Sequence, residues 1–306
     1  MGFRNLLLLV ALAAIWGASF LFIKIAVAEV SPLALATSRV GLGSLGLVAF
    51  AAATRLRFPP LTGGPGWPLW QSCLFLGAFG GVFPYLLINW SELHIASAAA
   101  AILNATSPLF SSLFGQVLGR WGSEERLTGG RAAGLLLGVV GVTVLVGGSE
   151  GAQHLGSGGA LEVAGYLAVV AASASYAVGG LFARLAFAGM PPVVPAIGQN
   201  VGAAVWLLPI GLTTGRPAGW PSAAALGSML TLGLGGTAFA YLIYYRLIAN
   251  VGATRTLAVT YLLPVTALGY GAALLGEQLT PWMLAGLALI LAGVGLTTGS
   301  IRLGGR

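Results

Sequence analysis

The chain has 306 residues, of which 57% are hydrophobic and only 7% are charged. A soluble domain carries about 25% charged residues, so this composition excludes an ordinary soluble protein and indicates a polytopic membrane protein. The 48 glycines fit that class, because small residues let membrane helices approach one another closely. The net charge of +7 is spread singly between apolar runs, which argues against nucleic-acid binding. A single cysteine, Cys73, excludes an intramolecular disulfide and a cysteine-cluster metal site.

Ten apolar runs follow in chain order, and each is long enough to span a membrane, which takes about 20 mostly apolar residues. Their ranges are 5–26, 32–54, 69–90, 95–118, 129–147, 160–184, 191–213, 223–248, 253–274 and 280–298. The first run continues to Ala28, beyond the length of a signal peptide, so we expect it to be retained as a span. The sequence therefore predicts an all-α membrane protein with ten transmembrane helices.

The basic residues predict the orientation of these spans. With both termini in the cytoplasm, most arginines fall at the inner face, whereas Arg216 and Lys24 fall near the outer face. The outer joints hold acidic residues instead: Glu29, Glu92, Glu150 and Glu277. Cytoplasmic loops of membrane proteins carry the excess of arginine and lysine, so we expect a multi-pass protein of a bacterial inner membrane with cytoplasmic N- and C-termini.

The second half of the chain repeats the first. Tyr241–Pro264 aligns on Tyr85–Pro108 without a gap, and the two matching units are residues 1–150 and 151–306. Each unit has five predicted helices, and an odd number requires the second copy to insert upside down. The two units together form one transmembrane domain of two inverted five-helix repeats. Such repeats are typical of secondary transporters, whose substrate site lies near the membrane midplane.

Several motifs resemble the EamA group of the drug/metabolite transporter superfamily. They are the Ala14–Phe20 run followed by Lys24, Pro32 followed by Arg39, and Glu-x-Leu-Thr at 125–128 and 277–280. The resemblance covers nearly the whole chain, which is most similar to the YddG-type aromatic amino-acid exporters. It implies that spans 1, 3, 4, 6, 8 and 9 surround a central cavity, that spans 2 and 7 move against it, and that spans 5 and 10 buttress one side. The second copy departs from the motif, with Tyr176 in place of tryptophan and Gln199 in place of arginine.

Aromatic and amide side chains at the depth of the expected cavity are the candidate substrate-binding residues. An aromatic pocket with few polar groups suits an apolar or aromatic substrate, although the same residues also serve at lipid interfaces and the amides also tie helices together. The candidates are Trp16, Phe20, Phe83, Tyr85, Asn104, Tyr176, Gln199, Tyr241, Tyr245 and Tyr261.

Arg39 lies within a span, about two turns from its outer end, and an ionisable residue inside a membrane is a functional hypothesis by default. It either contacts the substrate carboxylate or serves structure and gating. Lys24 is nearer the outer edge, where we expect a surface role beside Glu29.

Three prolines and a glycine stripe predict local structure. Pro84, Pro108 and Pro264 lie inside spans and are expected to kink them. Gly130, Gly134 and Gly138 recur at every fourth position of span 5 and predict a close-packed face, either within the protomer or between protomers.

These patterns predict a transporter and not an enzyme, since the spans hold no nucleophile, base or metal set and no cofactor motif. The predicted function is export of amino acids, with aromatic or other apolar ones favoured, by alternating access; the alternative is efflux of other small organic metabolites or drugs. The acids sit at joints or helix ends, and His94 and His154 lie in joints, so we expect an uncoupled facilitator. The expected partners are a small-molecule substrate and membrane lipids, with the protein a monomer or a weak homo-oligomer.

Overall fold

The computed structural model describes residues 2–64, 66–117, 129–148, 159–214, 219–256 and 258–301, and their regular secondary structure is entirely helical. The Glu-x-Leu-Thr motif at 125–128, Glu150, His154 and Arg216 lie outside these residues. The all-α class predicted from composition is confirmed.

Ten long helices, labelled in chain order, account for most of the described residues. They are α1 (Phe3–Val27), α2 (Pro32–Ala53), α3 (Leu69–Ser91), α4 (Ser97–Gln116), α5 (Gly129–Gly147), α6 (Gly159–Ala186), α7 (Val193–Thr213), α8 (Ala223–Val251), α9 (Val259–Leu274) and α10 (Pro281–Thr297). The first eight are long and apolar enough to cross a membrane, and α9 and α10 are shorter apolar helices. A single further turn, Ala253–Thr256, precedes α9.

Proline interrupts α4, which the sequence predicts as one continuous span. The structure divides it into Ser97–Asn104 and Ser107–Val117, with Pro108 at the start of the second segment. Proline has no N–H and clashes with the carbonyl four residues earlier, here that of Asn104. The Ser107 hydroxyl donates to that carbonyl at 2.8 Å. The bend predicted at Pro108 is therefore a break in the helix, and the Ser107 hydroxyl supplies the hydrogen bond that the proline lacks.

Helices α3 and α8 each contain a π-helical segment, at Ala78–Val82 and at Thr231–Phe239. The alignment of Tyr241 on Tyr85 places the first of these segments within the second, so the two segments coincide in that alignment. A π segment releases backbone carbonyls from the usual α-helical pattern, and such segments are frequent at functional sites. The apolar runs of the sequence predict continuous spans here, without these π-helical segments.

Small residues bring α5 and α10 into close contact. A Cβ on Gly134 would lie 2.6 Å from the Gly293 carbonyl oxygen, and a Cβ on Gly141 would lie 2.9 Å from the Ile290 backbone nitrogen. Gly138 packs against Leu109 of α4. This part of the predicted glycine stripe is therefore a contact within the chain, while Gly130 faces open space.

Candidate functional site

Arg39 of α2 is buried between α3 and α8, with 8% of its surface exposed. Its Nε donates to the Thr237 hydroxyl at 3.2 Å, and its guanidinium carbon lies 4.3 Å from the centre of the Tyr85 ring. Thr237 in turn donates to the Leu232 carbonyl at 2.9 Å, five residues earlier in the π segment. Among the described carboxylates none forms an ion pair with Arg39. A buried guanidinium held on one edge and one face leaves its terminal N–H groups for another acceptor.

The Tyr85 ring of α3 lies against this guanidinium, and the phenols of Tyr176 on α6 and Tyr241 on α8 lie near that of Tyr85. Tyr176 packs against the buried cluster that contains Tyr85. The phenols are close enough to one another, and Arg39 is close enough to Tyr176, to interact electrostatically. We call Arg39, Tyr85, Tyr176, Gln199, Thr237 and Tyr241 the central group. Five helices contribute to it, although its members are distant in sequence.

Pro84 explains how Gln199 joins the central group. Because proline donates no backbone hydrogen bond, carbonyls one turn earlier in α3 lack an intrahelical donor. The Phe79 carbonyl accepts from the Ser175 hydroxyl of α6 at 2.8 Å, and the Gly80 carbonyl accepts from Gln199 Nε2 of α7 at 2.7 Å. Gln199 Nε2 also lies 2.9 Å from the Tyr241 hydroxyl. The carbonyls before Pro84 therefore link α3 to α6 and α7, and Gln199 extends this link to Tyr241 of α8.

An aromatic row continues from Tyr241 towards α1. Trp16 meets Tyr241 edge to face, with ring centres 6.1 Å apart, and Tyr241 stacks on Tyr245 at 5.9 Å. Trp16 Nε1 donates to the carbonyl of Gly236 at 3.2 Å, again in the π segment of α8. The structure thus brings Trp16, Tyr85, Tyr176, Gln199, Tyr241 and Tyr245 together.

Four candidates lie elsewhere. Phe20 is 5% exposed within the core cluster formed mainly by α1, α4 and α6. Phe83 is 47% exposed and contacts Phe79, because residues two apart on a helix point to nearly opposite sides and Tyr85 faces the central group. The Tyr261 hydroxyl bonds with Thr298 at the end of α10, at 2.8 Å. Asn104 lies at the break in α4, with its side-chain oxygen buried and unpartnered.

A groove of about 380 Å³ lies beside the central group, between α1, α8 and α9. Its lining includes Ala14, Ala18 and Phe22 on one face of α1, and Tyr270 of α9. Trp16 and Phe20 point away from it, since they lie half a turn round the same helix. None of the predicted substrate-binding residues lines this groove.

Three glutamates, Glu29, Glu92 and Glu277, mark one end of the helix bundle, which we call the acidic end. The carboxylate of Glu277 caps the start of α4, accepting from the backbone N–H of Ser97 at 2.7 Å and of Ala98 at 3.0 Å. A negative charge at a helix N-terminus is favourable because the free N–H groups point at it. Glu29 accepts from the side chain and the backbone N–H of Ser222, and these hydrogen bonds lower the pKa of its carboxyl.

The expectation that Lys24 lies at the surface beside Glu29 is wrong. Its Nζ is half-buried and donates to the carbonyls of Glu92 at 2.6 Å and Ile95 at 2.8 Å. These carbonyls follow the C-terminus of α3, where a helix leaves acceptors unpaired and favours a cation. Glu29 is already occupied by Ser222.

Eight candidate spans, two further apolar helices and a buried polar group shared by five helices define a multi-pass membrane protein. The model of the EamA-like transporter family matches residues 4–147 and 163–299, and the chain belongs to that family.

The chain is similar to relatives whose names describe transporters, among them probable exporters. It is 29% identical over 304 residues to a probable amino-acid metabolite efflux pump of Salmonella typhimurium, which covers 96% of this chain and 93% of the relative. It is 28% identical over 281 residues to a probable terminal-alkyne amino-acid exporter of Streptantibioticus cattleyicolor, covering 91% and 88%. A solved crystal structure superposes with a TM-score of 0.64 at 21% identity over 98% of this chain and 99% of the other, which supports the fold alone.

Proposed function

We propose that this protein exports amino acids, with aromatic or other apolar side chains preferred, by alternating access across a bacterial inner membrane. The observation that carries the proposal is the buried Arg39, which has donors to spare and no carboxylate partner among the described residues. Guanidinium groups bind carboxylates through parallel hydrogen bonds. Relatives named as amino-acid efflux pumps support the substrate class.

The aromatic row supports the preference for an apolar side chain. Trp16, Tyr241 and Tyr245 offer ring faces and edges next to the donors of Arg39 and Gln199. Aromatic rings contribute large contact areas in fixed geometries. We infer that the substrate carboxylate lies on Arg39 and its side chain lies among these rings when the central group opens.

Ten spans in two inverted repeats are the architecture that we propose for this cycle. The family matches the chain twice. Contacts at the two ends of the bundle also support inversion. Helix α3 ends at Ser91, just before Glu92 at the acidic end, whereas its repeat partner α8 begins there, just after Ser222. At the opposite end, Asn250 donates to Asn5 at 3.0 Å. We propose that this opposite end is cytoplasmic, following the excess of arginine in the predicted inner joints.

The direct test is counterflow with purified protein in liposomes. Vesicles are loaded with unlabelled phenylalanine, tryptophan, threonine, leucine or a cationic dye, and entry of the matching tracer is measured without any ion gradient. We expect transient accumulation of phenylalanine and tryptophan, and a sharp loss in the double variant W16A/Y176A. Transport of the dye but of no amino acid would favour the alternative function, efflux of drugs or other metabolites. Normal amino-acid counterflow in the double variant would contradict the proposed pocket.

A further inference from the structure

Glu92 directly follows α3 in sequence, but its side chain is completely buried, with 0% of its surface exposed. Neither carboxyl oxygen has a hydrogen-bond partner. The sequence position of Glu92 predicts an outer joint, and the absence of acids deep within the spans predicts uncoupled transport. The structure removes that premise at this position.

The charged and titratable groups around the joint that holds Glu92 come from several helices of the acidic end. Lys24 of α1 holds the Glu92 and Ile95 carbonyls rather than the carboxylate, and Glu277 caps α4 nearby. Arg39 of α2 also acts on Glu92 electrostatically. Helix α6 packs against the joint and brings Glu162 and Tyr166, whose hydroxyl donates to Glu162 at 2.8 Å. On the joint itself, His94 stacks on Trp90 at 4.6 Å.

Burial without a partner favours the neutral form of a carboxyl, since an ionised group loses its hydration and gains nothing in return. Burial accordingly raises the pKa of Glu92 well above its usual range; Lys24 and Arg39 oppose this rise and Glu277 adds to it. The buried position of Glu92 therefore fits a protonated carboxyl.

One face of α3 connects Glu92 to the central group. Tyr85, Asn89 and Glu92 recur at a spacing of four and three residues, so they lie above one another on the same side of the helix. At 1.5 Å per residue, Asn89 lies about 6 Å and Glu92 about 10 Å from Tyr85 along the axis. Asn89 is also 0% exposed, and its side-chain oxygen has no partner, while its Nδ2 donates to the Pro32 carbonyl at 3.1 Å.

We propose that Glu92 is a proton-binding site and that the protein exchanges a proton for each amino acid. This inference rests on the proposed function. With the substrate carboxylate on Arg39, the substrate ammonium faces the free oxygen of Asn89, one turn from Glu92. Either this ammonium or a proton then neutralises the charge of the Glu92 carboxylate, so the substrate and the proton do not bind at the same time.

In the proposed cycle one proton crosses the membrane in the direction opposite to one amino acid. At the open acidic end the substrate leaves, and the Glu92 carboxylate takes a proton from water, forming an O–H bond. The end closes over the neutral carboxyl. When the opposite end opens, an arriving substrate ammonium at Asn89 favours the ionised form, the O–H bond breaks, and the proton passes to water on that side.

A proton fits this site better than a metal cation. Sodium requires several oxygen ligands, but the Lys24 ammonium already occupies the nearby carbonyls of Glu92 and Ile95. A proton requires one carboxyl oxygen.

The test uses the full-length protein in liposomes whose lumen is more acidic than the bath, with labelled L-phenylalanine as tracer and counterflow as a parallel assay. A gradient of one pH unit supports about tenfold accumulation for a one-proton exchange. We expect wild-type protein to accumulate the tracer towards that limit. E92Q is expected to retain counterflow and lose the accumulation. The matched control is E29Q, which changes an exposed acid at the same end and is expected to behave like wild type.

Two results would refute the proton site and leave the proposed function intact. One is pH-driven accumulation of the tracer by E92Q. The other is counterflow without such accumulation in the wild-type protein. Absence of counterflow with every amino acid would instead refute the proposed function. The site is then judged by infrared spectroscopy at neutral pH, which needs no substrate and remains decisive if E92Q does not fold. We expect the carbonyl band of a protonated carboxyl in wild-type protein, and its loss in E92Q. A wild-type spectrum without the band would contradict the proposal.

Discussion

The substitution T237V removes the hydroxyl that holds Arg39 and preserves the shape of the side chain. Thr237 is completely buried and Arg39 nearly so, so no solvent replaces the lost acceptor of the Arg39 Nε–H. A hydrogen bond from a charged donor contributes about 1.5–3 kcal/mol. At 1.4 kcal/mol for each factor of ten, substrate affinity is expected to fall roughly 10- to 150-fold if the misplaced guanidinium binds the carboxylate.

The assay is the concentration dependence of counterflow for T237V, T237S and T231V. T237S keeps the hydroxyl and is expected to restore most of the affinity. T231V is the control, because Thr231 lies in the same π segment but is exposed and donates only within its own helix, to the Gly227 carbonyl at 2.7 Å. Wild-type affinity in T237V, or an equal loss in T231V, would refute the role of Thr237 in positioning Arg39.

Three further predictions concern packing, capping and pH. G77A is expected to lower the Tm, since its Cβ would lie 2.3 Å from the Ala203 backbone nitrogen. G180A adds a Cβ in open space and is expected to leave the Tm unchanged. Thermal unfolding of both variants tests this prediction. E277Q is expected to raise hydrogen exchange at Ser97 and Ala98, because an amide offers one acceptor where the carboxylate offers two; unchanged exchange would remove Glu277 as the cap. Burial raises the pKa of Glu92, so the state with Glu92 buried is favoured in acid and is lost as the pH rises through that pKa. Backbone hydrogen exchange at the acidic end is therefore expected to rise with pH in the wild-type protein and to vary less in E92Q.

The apolar helices could be predicted from sequence because each is a local run of apolar residues. Tyr85 and Tyr241 match in their surroundings, and the chain places a π segment before each of them. Pro84 was predicted to kink α3. Its missing N–H also indicates a free carbonyl, but the donor, Gln199 on α7, depends on how the helices pack.

The misplaced residues depend on helix rotation and on the packing of joints. Phe83 and Tyr85 look equivalent in sequence, yet they face opposite sides of α3, and only the neighbouring helices determine which side is central. Glu92 looks like a solvent-facing joint residue, but its side chain is buried where Lys24 binds the carbonyls that follow α3. Burial of this kind is a tertiary property that spacing along one chain does not encode.

The central claim, that Arg39 receives the carboxylate of an amino acid, is tested most directly by competition against labelled phenylalanine in the purified protein. The competitors are unlabelled phenylalanine and phenethylamine, which lacks only the carboxylate. We predict that wild-type protein prefers phenylalanine by roughly 10-fold or more, the value of a charge-assisted hydrogen bond. In R39Q the two competitors should become nearly equal. A preference for phenylalanine that survives in R39Q would contradict the account.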